Sequence, residues 1–278
     1  MTFRAASTFE RVAPGEHRGV IDADWAQGRG IYGGLVSAIV ARALEADAPP
    51  GHALVTLTAA FCAPATAGPA LVRTEVVRAG RNVSTMRASL EREGLTLATT
   101  LATLARPREG ALAHRGLSMP GVPPPDAVAD GPAEHYFPAF ARRFEFRQCV
   151  GPIPFSGATE ARVGGWCRLA EDDPTLDASL VLAILDAWPP AAVALSAGWC
   201  PVASIDLTVH VLASLPRTID RQWLFFDATS RHAGGGMAEE TATLFTEPGE
   251  PIATCRQLIA IFPPEAPPPG AVLTPSRR

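Results

Sequence analysis

The chain has 278 residues, 47% of them hydrophobic and 19% charged, with a formal net charge of −4. That is enough apolar material for about two domains of ordinary size, and it argues against intrinsic disorder. Every basic residue is Arg, and no Arg cluster is dense enough to form the basic face of a nucleic-acid binder.

The first strong element is Leu35–Leu44, apolar almost all round, which predicts a helix near Gly34–Glu45 buried on most sides. Tyr32-Gly33-Gly34 stands where its first turn begins. Strands follow at Leu54–Phe61, Ala70–Val77, Val83–Arg92 and Leu95–Ala105, with turns at Gly80-Arg81-Asn82 and Arg92-Glu93-Gly94. From Arg106 to about Ala133 the chain is Pro-rich and weakly periodic, the pattern of a linker whose prolines cannot feed a sheet ladder. Phe144–Cys149 and Arg162–Ala170 read as strands. Asp172-Asp173-Pro174 reads as the start of a second apolar helix, Leu176–Trp188, ended by Pro189-Pro190. The last strands are Val202–Leu212, Trp223–Thr229, Met237–Phe245 and Ile252–Phe262.

The order of elements repeats. Val55-Thr56-Leu57-Thr58 matches Ile205-Asp206-Leu207-Thr208, Leu97-Ala98-Thr99 matches Ile252-Ala253-Thr254, and Gln257 falls opposite Ala102. Duplication of one buried helix and about four antiparallel strands predicts two packed α+β domains. The expected bounds are 1–110 and 139–265, with a Pro-rich linker at 111–138 and a Pro-rich tail at 266–278. Five scattered cysteines without a CxxC spacing predict neither a disulfide framework nor a zinc site, so no metal and no cofactor are expected. Met1–Pro14 has no signal-peptide core, and no apolar run approaches about 18 residues. A reduced, cytoplasmic protein with no membrane or nucleic-acid partner is the expectation.

The sequence resembles the acyl-CoA thioesterase II family of double-hotdog proteins. The resemblance is carried by Gly33-Gly34, Ala203-Ser204-Ile205-Asp206, Trp223-Leu224, Ala233-Gly234-Gly235-Gly236 and Ile252-Ala253-Thr254-Cys255-Arg256-Gln257, and it is strongest in the last third of the chain. It implies a tandem double hotdog, each half a long helix wrapped by a curved antiparallel sheet. It also implies hydrolysis of an acyl-CoA thioester by a water held between an Asp, a Ser or Thr, and a Gln. Those roles fall on Asp206, Ser230 (or Thr229) and Gln257. The family often has His after this Asp, and here it is Leu207; the residue before the double glycine is Tyr32. Asp186 in the second helix is given a structural or positioning role only.

The chemistry suits these residue types. A carboxylate accepts a proton from water, a hydroxyl and an amide orient it, and the free amides of a helix N-terminus at Gly33 and Gly34 stabilise the developing oxyanion. Gln257 shares an apolar strand face with Cys255, Ile259 and Ile261, where a lone amide needs partners. Asp206 shares its face with Ser204, Thr208 and His210, which alone reads as a solvated face. Because Thr56 and Ala102 stand opposite Asp206 and Gln257, one site per chain is expected. Arg81 and Arg231 are candidates for the phosphates of CoA. His210 and His232 read as surface residues rather than members of a triad. Two other functions compete: an acyl-CoA or acyl-carrier-protein binding protein without turnover, and a hotdog dehydratase or hydratase. A homo-oligomer is expected through the curved sheets.

Overall fold

The computed structural model describes residues 1–129, 138–219 and 221–264. Part of the expected linker (130–137) and the expected tail at 266–278 lie outside them. Among the described residues there are three α-helices: α1 (Phe3–Ser7), α2 (Gly33–Ala46) and α3 (Ala178–Leu185). The main sheet holds twelve strands. In the first half these are β1 (Glu10–Ala13), β2 (Glu16–Ile21), β3 (Ala53–Phe61), β4 (Gly68–Arg78), β5 (Val83–Arg92) and β6 (Leu95–Ala105). In the second they are β7 (Phe144–Val150), β8 (Arg162–Leu169), β9 (Val202–Val211), β10 (Leu224–Gly234), β11 (Met237–Thr246) and β12 (Pro251–Ile261).

All pairings in this sheet are antiparallel, in the order β1-β2-β4-β5-β6-β3-β9-β12-β11-β10-β8-β7. Read outward from the β3–β9 seam, the two halves have the same strand order and the same chain order. Thr58 and Thr208 face each other at the seam with hydroxyls 3.3 Å apart. The registers also correspond. Leu57 pairs with Ala102 as Leu207 pairs with Gln257, and Met86 pairs with Ala102 as Glu240 pairs with Gln257. Each seam strand even carries a β-bulge at the same place, between Leu54 and Thr56 in one half and Ser204 and Asp206 in the other. Ser204 is therefore the counterpart of Leu54.

α2 forms where the apolar run predicts it, and its middle is wholly buried. Such a helix is held by tertiary packing on every side rather than by a single stripe. α3 departs from expectation at its start. Asp177, not Asp172 or Asp173, is the cap, accepting from the Leu180 amide at 2.9 Å. Thr175–Leu176 instead pairs with Arg217–Thr218 as a short ladder, and Asp173 accepts from the Thr175 amide. A carboxylate followed by proline marks a turn as readily as a helix start, and Thr-Leu after it suits a strand. β1 and β2 carry no expectation in the sequence reading. They are short, and only His17 and Ile21 of β2 are buried, so their alternation is weak.

α2 and α3 pack antiparallel under the seam. A Cβ on Gly34 would lie 2.9 Å from the Ala183 carbonyl oxygen, and the Ser179 hydroxyl donates to the Ala38 carbonyl. The two-fold relation between halves thus carries Gly34 to Ser179 and Ala183 to Ala38, and with them Asp186 to Ala41. The stretch Met119–Val128 of the Pro-rich segment is packed: Met119, Val122 and Val128 cover Trp166, Trp223, Phe225 and Phe245 on the outer face of the second half, and Trp166 Nε1 donates to the Pro123 carbonyl at 2.9 Å. Among the described residues no helix is long and apolar enough to cross a membrane.

Candidate active site

Where α3 ends, Asp186 occupies the C-cap and turns its carboxyl toward the sheet. Its Oδ1 accepts from Gln257 Nε2 at 2.5 Å and from the Ser204 hydroxyl at 3.1 Å, and Gln257 Nε2 also reaches Ser204 Oγ at 2.7 Å. The other oxygen, Oδ2, is buried without a hydrogen-bond partner and lies 2.8 Å from where a Cβ on Gly33 would stand. A side chain at Gly33 would therefore fill the space in front of the carboxylate. Within the first turn of α2, the Leu35 and Val36 amides return to the Tyr32 carbonyl. Gly33 and Gly34 are left as the donors at that helix end. Tyr32 itself is fully buried, stacked on Phe140 with ring centroids 4.1 Å apart, and its hydroxyl also lacks a partner.

The electrostatics follow from burial. Asp186 is 8% exposed, and desolvation raises its pKa from 3.8 to about 6; the hydrogen bonds from Gln257 and Ser204, and the approach of the Gly34 amide, which stops short of a hydrogen bond, work in the opposite direction. A carboxyl poised there is ionised at neutral pH yet basic enough to take a proton from water. Tyr32 is pushed well above its usual range by burial and then by the Asp186 charge, so it stays a neutral phenol.

Of the residues singled out in the sequence, Gly33, Gly34 and Gln257 come together here. Asp206 and Ser230 do not. Asp206 turns away because the bulge at Ile205 breaks the two-residue alternation: Ser204 shares the inner face with Leu207, and Asp206 lies on the other side. Its Oδ1 instead accepts from the Leu258 amide at 2.9 Å, filling the gap that the bulge leaves in the ladder. Ser230 lies in a second bulge, in β10 between Thr229 and His232, with its hydroxyl donated to the His232 carbonyl. The neighbouring Thr229 hydroxyl meets Thr241 at 3.4 Å. Asp186, expected to have a structural or positioning role only, and Ser204, given no site role in the sequence, complete the cluster.

Arg81 is also remote. Its turn leads into Val83, which lies opposite Ala105 and hence beside Ala53–Leu54, the first-half counterpart of Ser204. Along the seam Leu54 falls about eight residues from Ser204, roughly 26 Å. Arg231 is exposed and paired with Glu239 at 3.2 Å. A buried His–carboxylate pair does exist, His17 Nε2 to Asp47 Oδ2 at 2.8 Å, but Asp47 caps the far end of α2. Fourteen helical residues, about 21 Å, separate it from Gly33.

Two family models match. Residues 21–105 match the acyl-CoA thioesterase N-terminal domain, and residues 120–261 match the acyl-CoA thioesterase C-terminal domain. The chain belongs to the acyl-CoA thioesterase family. It is a thioester hydrolase acting on acyl-CoA. Among solved structures, a conserved protein of unknown function with a hot dog fold from Alicyclobacillus acidocaldarius is 22% identical, with a TM-score of 0.85 over 95% of this chain and 98% of that one. The tesB protein of Mycobacterium avium subspecies paratuberculosis is 25% identical (TM-score 0.78, 94% and 98% covered). An acyl-CoA thioesterase II, TesB2, from Mycobacterium marinum is 21% identical (TM-score 0.75, 94% and 99% covered). The enzyme therefore has the hotdog α+β fold. No curated protein matches the chain.

Proposed function

We propose that the enzyme hydrolyses acyl-CoA at a single site per chain, with Asp186 as general base and Ser204 and Gln257 as the groups that hold it and the attacking water. The observation that carries this reading is the unpartnered, buried Oδ2 of Asp186 facing the Gly33–Gly34 end of α2. Water placed between that oxygen and the acyl carbon gives up a proton to Asp186 as its oxygen attacks. The carbonyl electrons move onto oxygen, where the Gly33 and Gly34 amides and the positive end of α2 stabilise the charge. The carbon–sulfur bond then breaks, and the proton on Asp186 passes to the departing thiolate, leaving free acid and CoA. No covalent acyl-enzyme is needed. We read the two halves as tandem hotdog domains, 1–110 and 139–265, in which the first supplies the oxyanion helix and the second supplies Asp186, Ser204 and Gln257. The repeated strand order, registers and bulges support that division.

Single-turnover hydrolysis in heavy-oxygen water tests the step. Label should enter the free acid and leave Asp186 unlabelled. Label in the Asp186 carboxylate would mean that the carboxylate attacks the thioester itself.

A further inference from the structure

Beside the candidate site lies a second buried acid that the reaction as written does not use. Glu240 in β11 is 4% exposed and stands directly opposite Gln257 in β12, on the same inner face. Its Oε2 accepts from the Ala191 amide at 2.6 Å, where the short 3₁₀ turn Ala191–Leu195 begins. We infer that Glu240 is a positioning residue for hydrolysis: held by the Ala191 amide and directly across the ladder from Gln257, it fixes the amide that in turn holds Ser204 and Asp186. This inference rests on the reading of Asp186 given above.

The case is made by comparison within the chain. The first-half counterpart of Glu240 is Met86, fully buried and opposite Ala102. The fold thus accepts an apolar side chain in this layer, and a buried carboxyl is not required to close the sheet. A carboxyl without a counter-charge is costly at such a position unless its hydrogen bonds are used. One oxygen is used by Ala191. Gln257 points its Nε2 at Asp186 and Ser204, which leaves its Oε1 as the end that an acid proton on Glu240 would bind. An amide so polarised is a stronger donor at its nitrogen.

The surroundings favour the protonated form. Burial raises the pKa of Glu240 to about 8, the Ala191 amide works against this, and the charges of Asp186 and Glu239 add to the rise. The groups facing Glu240 are few: Asp186 from the end of α3, the buried thiol of Cys255 in β12, and Glu239 on its own strand, which is paired outward with Arg231 of β10. The 3₁₀ turn contributes only the Ala191 amide. None of these is an unpaired cation that would ionise Glu240 at neutral pH. As pH rises through about 8, the proton is lost, a negative charge faces the Gln257 carbonyl oxygen and Asp186, and the arrangement loosens.

The test uses Glu240→Met, which copies the first half, and Glu240→Gln, which keeps a donor and an acceptor but cannot ionise. Initial rates are measured by thiol release, with the best substrate from a panel of saturated acyl-CoAs and benzoyl-CoA, between pH 5 and 9.5. Glu240→Met should lower kcat about tenfold at pH 7 with KM within about twofold, and Glu240→Gln should restore kcat to within about threefold of the parent. The parent should lose activity above about pH 8, and Glu240→Gln should not. A parental alkaline decline in Glu240→Gln, or an unchanged kcat in Glu240→Met, overturns the inference; should Glu240→Met fail to fold, the Glu240→Gln profile decides. Asp186→Asn measured alongside separates the two ideas. Full activity in that variant defeats the reading of Asp186, whereas an inactive Asp186→Asn beside a parental Glu240→Gln profile defeats only the role of Glu240.

Discussion

The two halves of this enzyme share strand order, register and bulge position, yet differ in the polarity of one buried layer. In the first half the layer beneath the seam is Leu54, Met86 and Ala102, with Ala41 on the helix, and all four are buried. In the second half the corresponding positions are Ser204, Glu240, Gln257 and Asp186. The mirror-image helix end is closed as well: Asp177 caps the start of α3 with its own carboxylate and is paired with Arg42 at 2.9 Å, whereas the start of α2 has only Tyr32 before it and no side-chain cap. A donated carboxylate occupies the place an oxyanion would take. The difference teaches that the fold supplies two equivalent sockets, and, on the reading proposed above, side-chain polarity with one cap decides which of them works as the active site.

The strongest way to break this comparison is to remove the proposed base. Asp186→Asn should lower kcat by about 10² to 10⁴ with KM little changed, the usual worth of a general base. Thr56→Ala, in the silent half, should leave thiol release intact. Comparable losses in both variants would mean that the halves are not functionally distinct.

The same residue predicts opposite pH trends for activity and stability. Activity needs the ionised carboxylate, so it should rise as pH passes through about 6. Stability runs the other way, because the folded state holds the Asp186 proton more tightly than the unfolded chain does. The contribution is complete below the ordinary value of 3.8 and is lost as pH climbs through about 6, a difference of about 3 kcal/mol. Chemical denaturation of Asp186→Asn at pH 8 should accordingly show a more stable protein than the parent. An Asn variant less stable than the parent at that pH would sink the assignment of a buried charge without a counter-cation.

How much of this was legible in the sequence depended on whether each signal was local. That Gln257 meets buried polar partners was legible, because a single amide on an otherwise apolar strand face needs them. The close packing at Gly33 and Gly34 was legible, because two glycines at the start of a wholly apolar helix mark a close approach. The duplication was visible, and with it the apolar counterpart of Gln257 at Ala102. Strict alternation puts Ser204 and Asp206 on one face, and the extra residue at Ile205, which the sequence pattern does not signal, moves them to opposite faces. Asp186 was visible in the helix but not identifiable as the partner of Gln257, since the two meet only through the packing of α3 on β12. β1 and β2 left too little alternation to find.

Asp206 can now be tested in its structural place. Asp206→Ala strands the buried end of the Leu258 amide within the bulge and should cost about 1–3 kcal/mol of stability. The midpoint of thermal unfolding should fall, while kcat falls less than tenfold through a small shift of Ser204. An inactive variant with an unchanged midpoint would return Asp206 to the role the sequence suggested.

The smallest effect lies on the outside of the sheet, where the halves differ again. Outer positions of β5 such as Thr85, Arg87 and Ser89 are polar or exposed, so the first half has the one-sided pattern of a solvated antiparallel sheet. β8 and β10 are different: Val163–Cys167 and Leu224–Phe226 are continuously buried, because the Pro-rich segment lies over Trp166, Phe225 and Phe245. Proline suits that strap, since a segment that forms no ladder loses little by lacking amide donors and has less conformational freedom to surrender. Trp166 Nε1 is the polar tie to it, through the Pro123 carbonyl. Trp166→Phe keeps the aromatic contact with Phe225 but removes this bond, which is worth about 1 kcal/mol. The expected result is a slightly lower unfolding midpoint and faster protease cleavage between Arg106 and Val128, with kcat and KM unchanged, because the strap is on the face opposite Gln257. If kcat falls as far as it does in Glu240→Met, the strap acts on the site through the sheet, and the outer and inner faces of the second half are not independent.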